Sequence, residues 1–280
     1  MEPEKWVSVF TRLLLEQGHT ITVYNRDAKR AQAVAERHDA THSISIKDAA
    51  SGADLILICA STEAVPGLIE EVTPYTAPDA ILSEIASFKS KTVPALKRSD
   101  GPTPLSIHPM FGPDIATFQG ETIAVVTVND SAKEMEIARS LFPESKLIPL
   151  DAEAHDRCMA SILSLPYFMN LVFARVTADG DLPLMKELAG PTFEVQMAVT
   201  QSIVGESAEL TRSLINDNVF SLPLLQSFMD EANRLAVLFK SGSDVVDSYL
   251  ENLKESMGGK LALDAARESR NKMLKSSKKE

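Results

Sequence analysis

Short apolar runs alternate with amphipathic stretches through the first half of the chain. Strands that are buried on both faces between crossover helices produce this alternation. The pattern predicts an α/β domain over residues 1–150 with a doubly wound, mostly parallel sheet. Residues 121–150 supply a further strand, helix and strand that extend this sheet. The earlier β-rich runs are TITVY (20–24), DLILICA (54–60), AILSEI (80–85) and PLSIH (104–108).

The pattern changes after Leu150. Apolar positions then recur at intervals of three and four residues, which is typical of helices, and Asn/Gly or Ser/Pro junctions separate the helical stretches. We therefore predict an all-helical domain over residues 151–264. Its apolar content is high for a layer with one face in water, which predicts burial against a second copy in a homodimer. Residues 265–280 are basic without apolar periodicity, and we expect a solvated tail there.

The charge of the chain excludes one class of partner. The 280 residues carry a formal net charge of −11, whereas a nucleic-acid groove requires clustered lysine and arginine. No run reaches the roughly 18 uninterrupted apolar residues that a membrane span needs, and the N-terminus has no basic-then-apolar signal pattern. Cys59 and Cys158 form no CxxC motif, and no metal-ligand cluster is visible. We expect a cytoplasmic protein whose partners are small molecules or another protein.

Candidate chemistry follows two neighbouring strands of the predicted sheet. His108 comes directly after an apolar run, so it is predicted at the carboxyl end of a strand, where doubly wound folds bind ligands. Ser87 and Lys89 follow the preceding strand in the same way. Each residue also has a structural interpretation: a histidine bonded to loop backbone, a serine that caps the next helix, and a solvated lysine.

Four segments of the sequence resemble the prephenate/arogenate dehydrogenase family of tyrosine biosynthesis. The segments are ASFK (86–89), HPMFGPD (108–114), AEAHDRCMASILSLPYF (152–168) and AGPTFEVQMAV (189–199). The resemblance implies NAD- or NADP-dependent oxidative decarboxylation of prephenate or arogenate: hydride and carbon dioxide leave, and the ring becomes aromatic. With prephenate the product is 4-hydroxyphenylpyruvate. The helical domain is implied to form the dimer.

The resemblance also implies roles for individual residues. His108 is the base that accepts the hydroxyl proton, a task suited to an imidazole that is neutral near pH 7. Ser87 orients the substrate hydroxyl or the imidazole. Lys89, Asp114 and His155 are candidates for substrate binding. Asp114 and His155 each have a structural alternative to substrate binding. Asp114 would form a turn after Pro113, and His155 would be a surface histidine in the first turn of a helix.

The cofactor half departs from the family. A dinucleotide-binding domain begins with a strand and G-x-G-x-x-G, whose glycines let the backbone approach the pyrophosphate. Neither is visible in this sequence. When the amphipathic run that ends in EQGH (16–19) is aligned with the first helix of the family, the expected glycine positions fall near Glu2, Glu4 and Val7. Two explanations stay open: a shortened or rearranged N-terminus, which we favour, or loss of ordinary cofactor binding.

The β-rich run TITVY (20–24) matches the second strand of the family, and the residues after it include basic but no ribose-binding acidic side chain. An acidic side chain there normally binds the ribose hydroxyls of NAD. A basic cluster could accommodate a 2′-phosphate, so NADP is favoured over NAD, although a solvated helix start gives the same pattern. The predicted cofactor-binding residues are Asn25, Arg26, Lys29 and Arg30.

Two substrate-side positions differ from the family pattern as well. Tyr167 stands where many members carry a histidine, and Ser202 stands where an arginine usually grips a substrate carboxylate. These departures keep a second hypothesis open: a non-catalytic relative that binds an aromatic metabolite or a partner enzyme. A third hypothesis is a β-hydroxyacid dehydrogenase or a pyrroline-carboxylate reductase, against which the ASFK and HPMFGP segments argue.

Overall fold

The computed structural model describes residues 3–277 of the chain, with side chains described through residue 272. The chain divides into two compact units. The first comprises residues up to Ile162 together with Ala208–Phe220, and the second comprises Leu163–Ser207 together with the residues from Ser221 onward. The division therefore falls later than the predicted boundary after Leu150. The helix that follows Leu150 stays with the first unit, because its side chains bond to residues at the strand ends.

The strands of the first unit form two separate sheets. β1 (Thr22–Tyr24) and β2 (Thr41–Ser43) pair in parallel. The other five strands pair in chain order, in parallel except for the antiparallel pair β5–β6. They are β3 (Leu55–Ile58), β4 (Ile81–Glu84), β5 (Thr103–Pro109), β6 (Thr122–Val126) and β7 (Lys146–Leu150). This confirms the predicted Rossmann-like class, although the described residues form two sheets where the pattern predicted one.

Helices flank these sheets, and apolar residues at helical spacing explain their packing. In α1, Trp6, Phe10 and Leu13 are buried on one face at intervals of three and four residues. Aspartates begin two of the other helices, where Asp27 and Asp130 accept backbone N–H groups. The helices are α1 (Pro3–Glu16), α2 (Ala28–His38), α3 (Ile46–Ala50), α4 (Val65–Val72), α5 (Thr92–Arg98) and α6 (Ser131–Leu141).

An aromatic cluster fills the core between α1 and the larger sheet. The rings of Phe10 and Phe118 lie 5.7 Å apart, and those of Phe118 and Phe142 lie 5.2 Å apart. All three side chains are buried, and they pack with Ile107 of β5 and Ile123 of β6. This core holds the strand that carries His108.

The remaining elements are helical, as the sequence predicts. A π turn at Ala160–Ser164 separates α7 from α8. The described part of the segment predicted as a solvated tail is helical: it belongs to α14, because it is rich in strong helix formers such as Ala, Arg, Lys and Leu, and its described side chains are mostly exposed. The helices are α7 (Ala152–Met159), α8 (Leu165–Thr177), α9 (Leu182–Glu187), α10 (Pro191–Val204), α11 (Ala208–Asn216), α12 (Ser221–Leu238), α13 (Ser243–Ser256) and α14 (Gly259–Ser277).

One described helical run is long and apolar enough to cross a membrane. It spans Ala152–Thr177, with a mean hydropathy of 1.4 over its most apolar window. Length and composition alone do not separate such a run from the core helix of a globular protein. The first turns of this run also carry the buried polar residues His155 and Asp156.

Cys59 and Cys158 are both free thiols, and a reducing cytoplasm stays a prediction.

Candidate active site

His108 lies at the carboxyl end of β5, next to the last residue of the strand. The strand is parallel to β4 on one side, so the ends of β4 and β5 meet at the same edge of the sheet. The side chain is almost fully enclosed, with 6% of the residue exposed. The position is the one that the sequence predicts for a ligand-facing group in this fold.

Two further buried side chains form a hydrogen-bonded row with His108. Nδ1 of His108 lies 3.0 Å from Nε2 of His155, and the two rings are tilted by 63°. Nδ1 of His155 lies 2.8 Å from Oδ1 of Asp156. Asp151 caps the start of α7 by accepting the N–H of Ala154, which places His155 and Asp156 in the first turns of the helix. Nε2 of His108 has no hydrogen-bond partner among the described residues.

The carboxylate of Asp156 also holds the loop after β4. Its Oδ1 accepts the backbone N–H of Lys89 at 2.8 Å, and its Oδ2 accepts that of Ser90 at 2.9 Å. Burial alone would raise the pKa of Asp156, but the hydrogen bonds from His155, Lys89 and Ser90 outweigh it and lower the pKa. Asp156 is therefore ionised at neutral pH and anchors both the histidine and the loop.

Burial keeps both histidines neutral. It holds the pKa of His108 well below the ordinary value of 6.5, and electrostatic repulsion from Lys89, and from His155 if that ring were protonated, acts in the same direction. Burial also lowers the pKa of His155, while the hydrogen bond to Asp156 opposes the shift. A neutral, enclosed imidazole at a strand end can accept a proton near pH 7, so His108 has the properties of a general base.

Lys89 points into the interior of the protein, which argues against its predicted substrate-binding role. Its ammonium is fully buried, where Nζ donates to Oε1 of Glu84 at 2.9 Å and to the carbonyl of Ile107 at 2.7 Å. The same Oε1 accepts hydroxyls from Thr92 and Ser106. Because a buried charge requires a partner, the lysine turns inward to neutralise Glu84. Sequence reasoning missed Glu84, although an acidic residue inside an apolar strand was the available signal.

The other predicted site residues have different environments. Ser87 is half-buried, and no hydrogen bond joins it to His108, whose Nδ1 is occupied by His155. Asp114 is exposed on the loop after β5. His155 is fully buried and its ring nitrogens are bonded to His108 and Asp156, which argues against the predicted substrate contact and makes the residue a support for His108. Asp156, beside it in the sequence, was missed.

The predicted cofactor residues lie around the end of β1. Asn25 accepts the N–H of Asp27 and so shapes the turn into α2, while Arg26 and Lys29 are exposed. Arg30 is paired with the carboxylates of Glu4 and Asp27. The exposed cations fit the charge of a ribose phosphate.

The described residues do not fit the pyrophosphate of a dinucleotide. Glu4 lies in the first turn of α1 and Val7 is half-buried in the same helix, whereas Glu2 lies outside the described residues. Residues 3–17 contain no glycine, so no glycine loop opens α1 within the described chain. A carboxylate at this helix start opposes an anion that the helix dipole would otherwise favour.

Comparison with known protein families identifies the family to which the chain belongs. A family model described as the nucleotide-binding domain of prephenate dehydrogenase matches residues 10–141, and the dimerization domain of the same family matches residues 151–257. The chain belongs to the prephenate dehydrogenase family. This confirms the family that the ASFK and HPMFGP segments indicate.

Two curated relatives of this prephenate dehydrogenase family member are distant in sequence. The T-protein of Haemophilus influenzae is 22% identical over 240 residues, which are 83% of this chain and 59% of that protein. The T-protein of Enterobacter agglomerans is 22% identical over 199 residues, 69% of this chain and 52% of that protein. The chain thus spans little more than half the length of these curated relatives.

Solved structures of the family share the fold. Arogenate dehydrogenase from Synechocystis superposes with a TM-score of 0.70 at 20% identity, covering 90% of this chain and 93% of that one. Prephenate dehydrogenase from A. aeolicus, in complex with hydroxyphenyl propionate and NAD+, gives a TM-score of 0.72 at 15% identity, covering 89% and 92%. The chain therefore shares its fold with these two structures.

Proposed function

We propose that this chain is an NAD(P)-dependent dehydrogenase that oxidises prephenate or arogenate with decarboxylation, and that His108 is its general base. The observation that carries the proposal is a buried, neutral imidazole at the end of β5, with Nδ1 bonded to His155 and Nε2 left without a partner among the described residues. The names of the family and of its solved relatives support the substrate class.

His108 performs the proton transfer of the proposed reaction. The O–H bond of the substrate ring hydroxyl breaks and an N–H bond forms at Nε2, while the C–H bond of the same carbon breaks and a bound nicotinamide would accept its hydrogen and electron pair as hydride. Loss of the ring carboxylate as carbon dioxide then returns an electron pair to the ring oxygen, which takes up a proton and becomes the phenol. Ser87 is proposed to bond the substrate hydroxyl, since its own hydroxyl is not bonded to His108. The described residues account for the proton acceptor, and they do not form the pyrophosphate site of the oxidant.

NADP is the proposed cofactor in preference to NAD. The exposed side chains of Arg26 and Lys29 at the end of β1 support this choice, because cationic groups there suit a 2′-phosphate. Arg30 contributes less than the sequence suggests, since Glu4 and Asp27 already neutralise it.

The reduced-nicotinamide absorbance band tests the proposal. The purified chain is mixed with prephenate or arogenate and with NADP or NAD, in all four combinations. We expect absorbance to rise with at least one substrate, and faster with NADP. No rise in any combination, from folded protein that still binds 4-hydroxyphenylpyruvate by calorimetry, would contradict the proposal.

A non-catalytic metabolite-binding relative is the second candidate. The ion pair between Glu4 and Arg30 favours it, because the pair joins the first turn of α1 to the first turn of α2, where a dinucleotide needs open backbone and free positive charge. Binding of 4-hydroxyphenylpyruvate without turnover in the absorbance assay would select this candidate.

We also propose a homodimer formed through the second unit. Many apolar side chains on its helices and on the turns that follow them are exposed in the single chain, and a surface of this kind is typical of an interface. The matching family domain is described as a dimerization domain. The most exposed of these side chains are Val176, Leu188, Val237, Phe239, Met257 and Leu261.

The mass in solution checks the dimer. We expect multi-angle light scattering at micromolar concentration to give twice the 30.5 kDa of one chain. High salt is the control condition, because an apolar interface keeps its mass where a charge-driven association loses it. A mass of 30.5 kDa in both conditions would contradict the proposed dimer.

A further inference from the structure

Asp156 determines which nitrogen of His155 carries a hydrogen. The carboxylate is ionised and can only accept hydrogen bonds, as it does from the backbone N–H groups of Lys89 and Ser90. Nδ1 of His155 lies 2.8 Å from the same carboxylate, so this nitrogen must carry the hydrogen. In a neutral ring the other nitrogen, Nε2, then has only a lone pair.

That lone pair determines the tautomer of His108. Nε2 of His155 lies 3.0 Å from Nδ1 of His108, and two lone pairs cannot share this contact. The hydrogen in the contact therefore belongs to Nδ1 of His108. We propose that Asp156, acting through His155, holds His108 as the Nδ1–H tautomer and leaves the lone pair on Nε2 for the substrate proton. His155 and Asp156 are thus positioning residues for the base, and their catalytic consequence rests on the proposed function.

In the reverse arrangement, Nε2 of His155 would donate a hydrogen to Nδ1 of His108. His155 would then carry hydrogens on both ring nitrogens and be cationic, and its surroundings oppose that state. The charged groups that act on His155 are Asp156, Glu84 and Lys89. Glu84 and Lys89 form a buried ion pair with each other and largely cancel. Asp156 favours a cationic ring, but burial of the ring outweighs it and lowers the pKa of His155, since a second buried cation beside Lys89 would be poorly solvated.

The row of hydrogen bonds also suits the protonated base. When Nε2 of His108 accepts a proton, Nδ1–H continues to donate to His155, and His155 continues to donate to Asp156. No hydrogen bond breaks and none needs to reverse during the transfer. The charge that develops on His108 is directed toward the carboxylate at the other end of the row.

Nitrogen NMR measures the tautomer without requiring turnover. The chain has five histidines, and their ring nitrogens can be labelled with ¹⁵N and assigned by loss of the His108 signals in His108→Asn. At pH 8 we expect a protonated Nδ1 and an unprotonated Nε2 for His108, and a protonated Nδ1 for His155. A protonated Nε2 on neutral His108 would overturn the inference, even in an active enzyme.

Two substitutions at His155 test the effect on the base. His155→Leu removes the acceptor, so we expect the Nε2–H tautomer of His108 to appear and kcat to fall about 10- to 100-fold, the usual cost of losing an orienting partner of a histidine in metal sites. His155→Gln can offer an amide oxygen at the same place and is the matched control. It should restore the Nδ1–H tautomer and part of the turnover.

The pattern of results separates the two proposals. If both variants unfold at the same temperature but differ in tautomer and kcat, a merely structural role for His155 is contradicted. Equal loss of kcat in both, with an unchanged His108 tautomer, would overturn the relay. The expected tautomer in a wild-type chain that shows no turnover would instead leave the relay in place and contradict the dehydrogenase activity.

Discussion

His108→Asn is expected to lower kcat by about 10²- to 10⁴-fold, the range that a positioned general base contributes. Asparagine is close in size to the proximal half of the imidazole, and its amide can still bond to His155. It cannot accept a proton at neutral pH, so the hydroxyl proton has no acceptor as the ring carbon is oxidised. Initial rates of nicotinamide reduction measure the change, with the affinity for 4-hydroxyphenylpyruvate expected to stay similar.

The matched control for this substitution is His19→Asn. His19 is exposed in the turn after α1, so its replacement should leave kcat unchanged. Ser87→Ala provides a graded comparison, because it removes a proposed hydrogen bond to the substrate without removing the base. Activity of His108→Asn equal to that of the wild type would contradict the assignment of the base.

The pH profile of the wild type gives a second measure of the same group. Burial holds the pKa of His108 well below 6.5, and only the neutral ring accepts a proton. The rate should therefore stay high as pH falls through 6.5, and decline only at the lower pH where the folded-state ring is protonated. An acid limb at or above pH 6.5 would show that the titrating base is a more exposed group.

Lys89→Met is expected to lower the free energy of unfolding by about 3–5 kcal/mol, the usual result of breaking one side of a buried ion pair. Methionine fills a similar volume but leaves the Glu84 carboxylate without its cation, and the carbonyl of Ile107 loses its donor as well. The hydroxyls of Thr92 and Ser106 remain bonded to Glu84, but they carry no compensating charge. Both residues of the pair are completely buried, so water cannot replace the lysine.

Urea unfolding monitored by tryptophan fluorescence measures this loss. The chain has one tryptophan, Trp6, which is buried in the same unit as Glu84 and Lys89. Lys91→Met is the matched control. Lys91 is half-exposed, and its Nζ lies 3.9 Å from Oδ1 of Asp217, so its replacement should lower the free energy of unfolding by only about 0–1 kcal/mol.

A double variant separates charge from packing. Glu84→Gln combined with Lys89→Met removes both charges, and it should be more stable than Lys89→Met alone because no uncompensated carboxylate remains. A loss for Lys89→Met no larger than that for Lys91→Met would contradict a structural role for the buried pair.

Several features could be predicted because they depend on local patterns. Apolar runs between helical stretches predicted the strands β3, β4 and β5 within a few residues of their observed bounds. The end of the run before His108 predicted the strand end at which that residue lies. The ASFK and HPMFGP segments indicated the family that the domain matches confirm. Periodicity and strand termination are properties of neighbouring residues, so one sequence contains them.

The partners of the chemical groups could not be predicted in the same way. Lys89 faces inward because Glu84 on β4 and the Ile107 carbonyl on β5 converge there, and His155 supports His108 from 47 positions away. The basic C-terminal segment lacks apolar periodicity but forms a helix in its described part. The sequence determined the fold class, the family and the strand end that carries His108. Only the tertiary structure decided which polar groups share the low-dielectric interior, since those contacts join segments far apart in the chain.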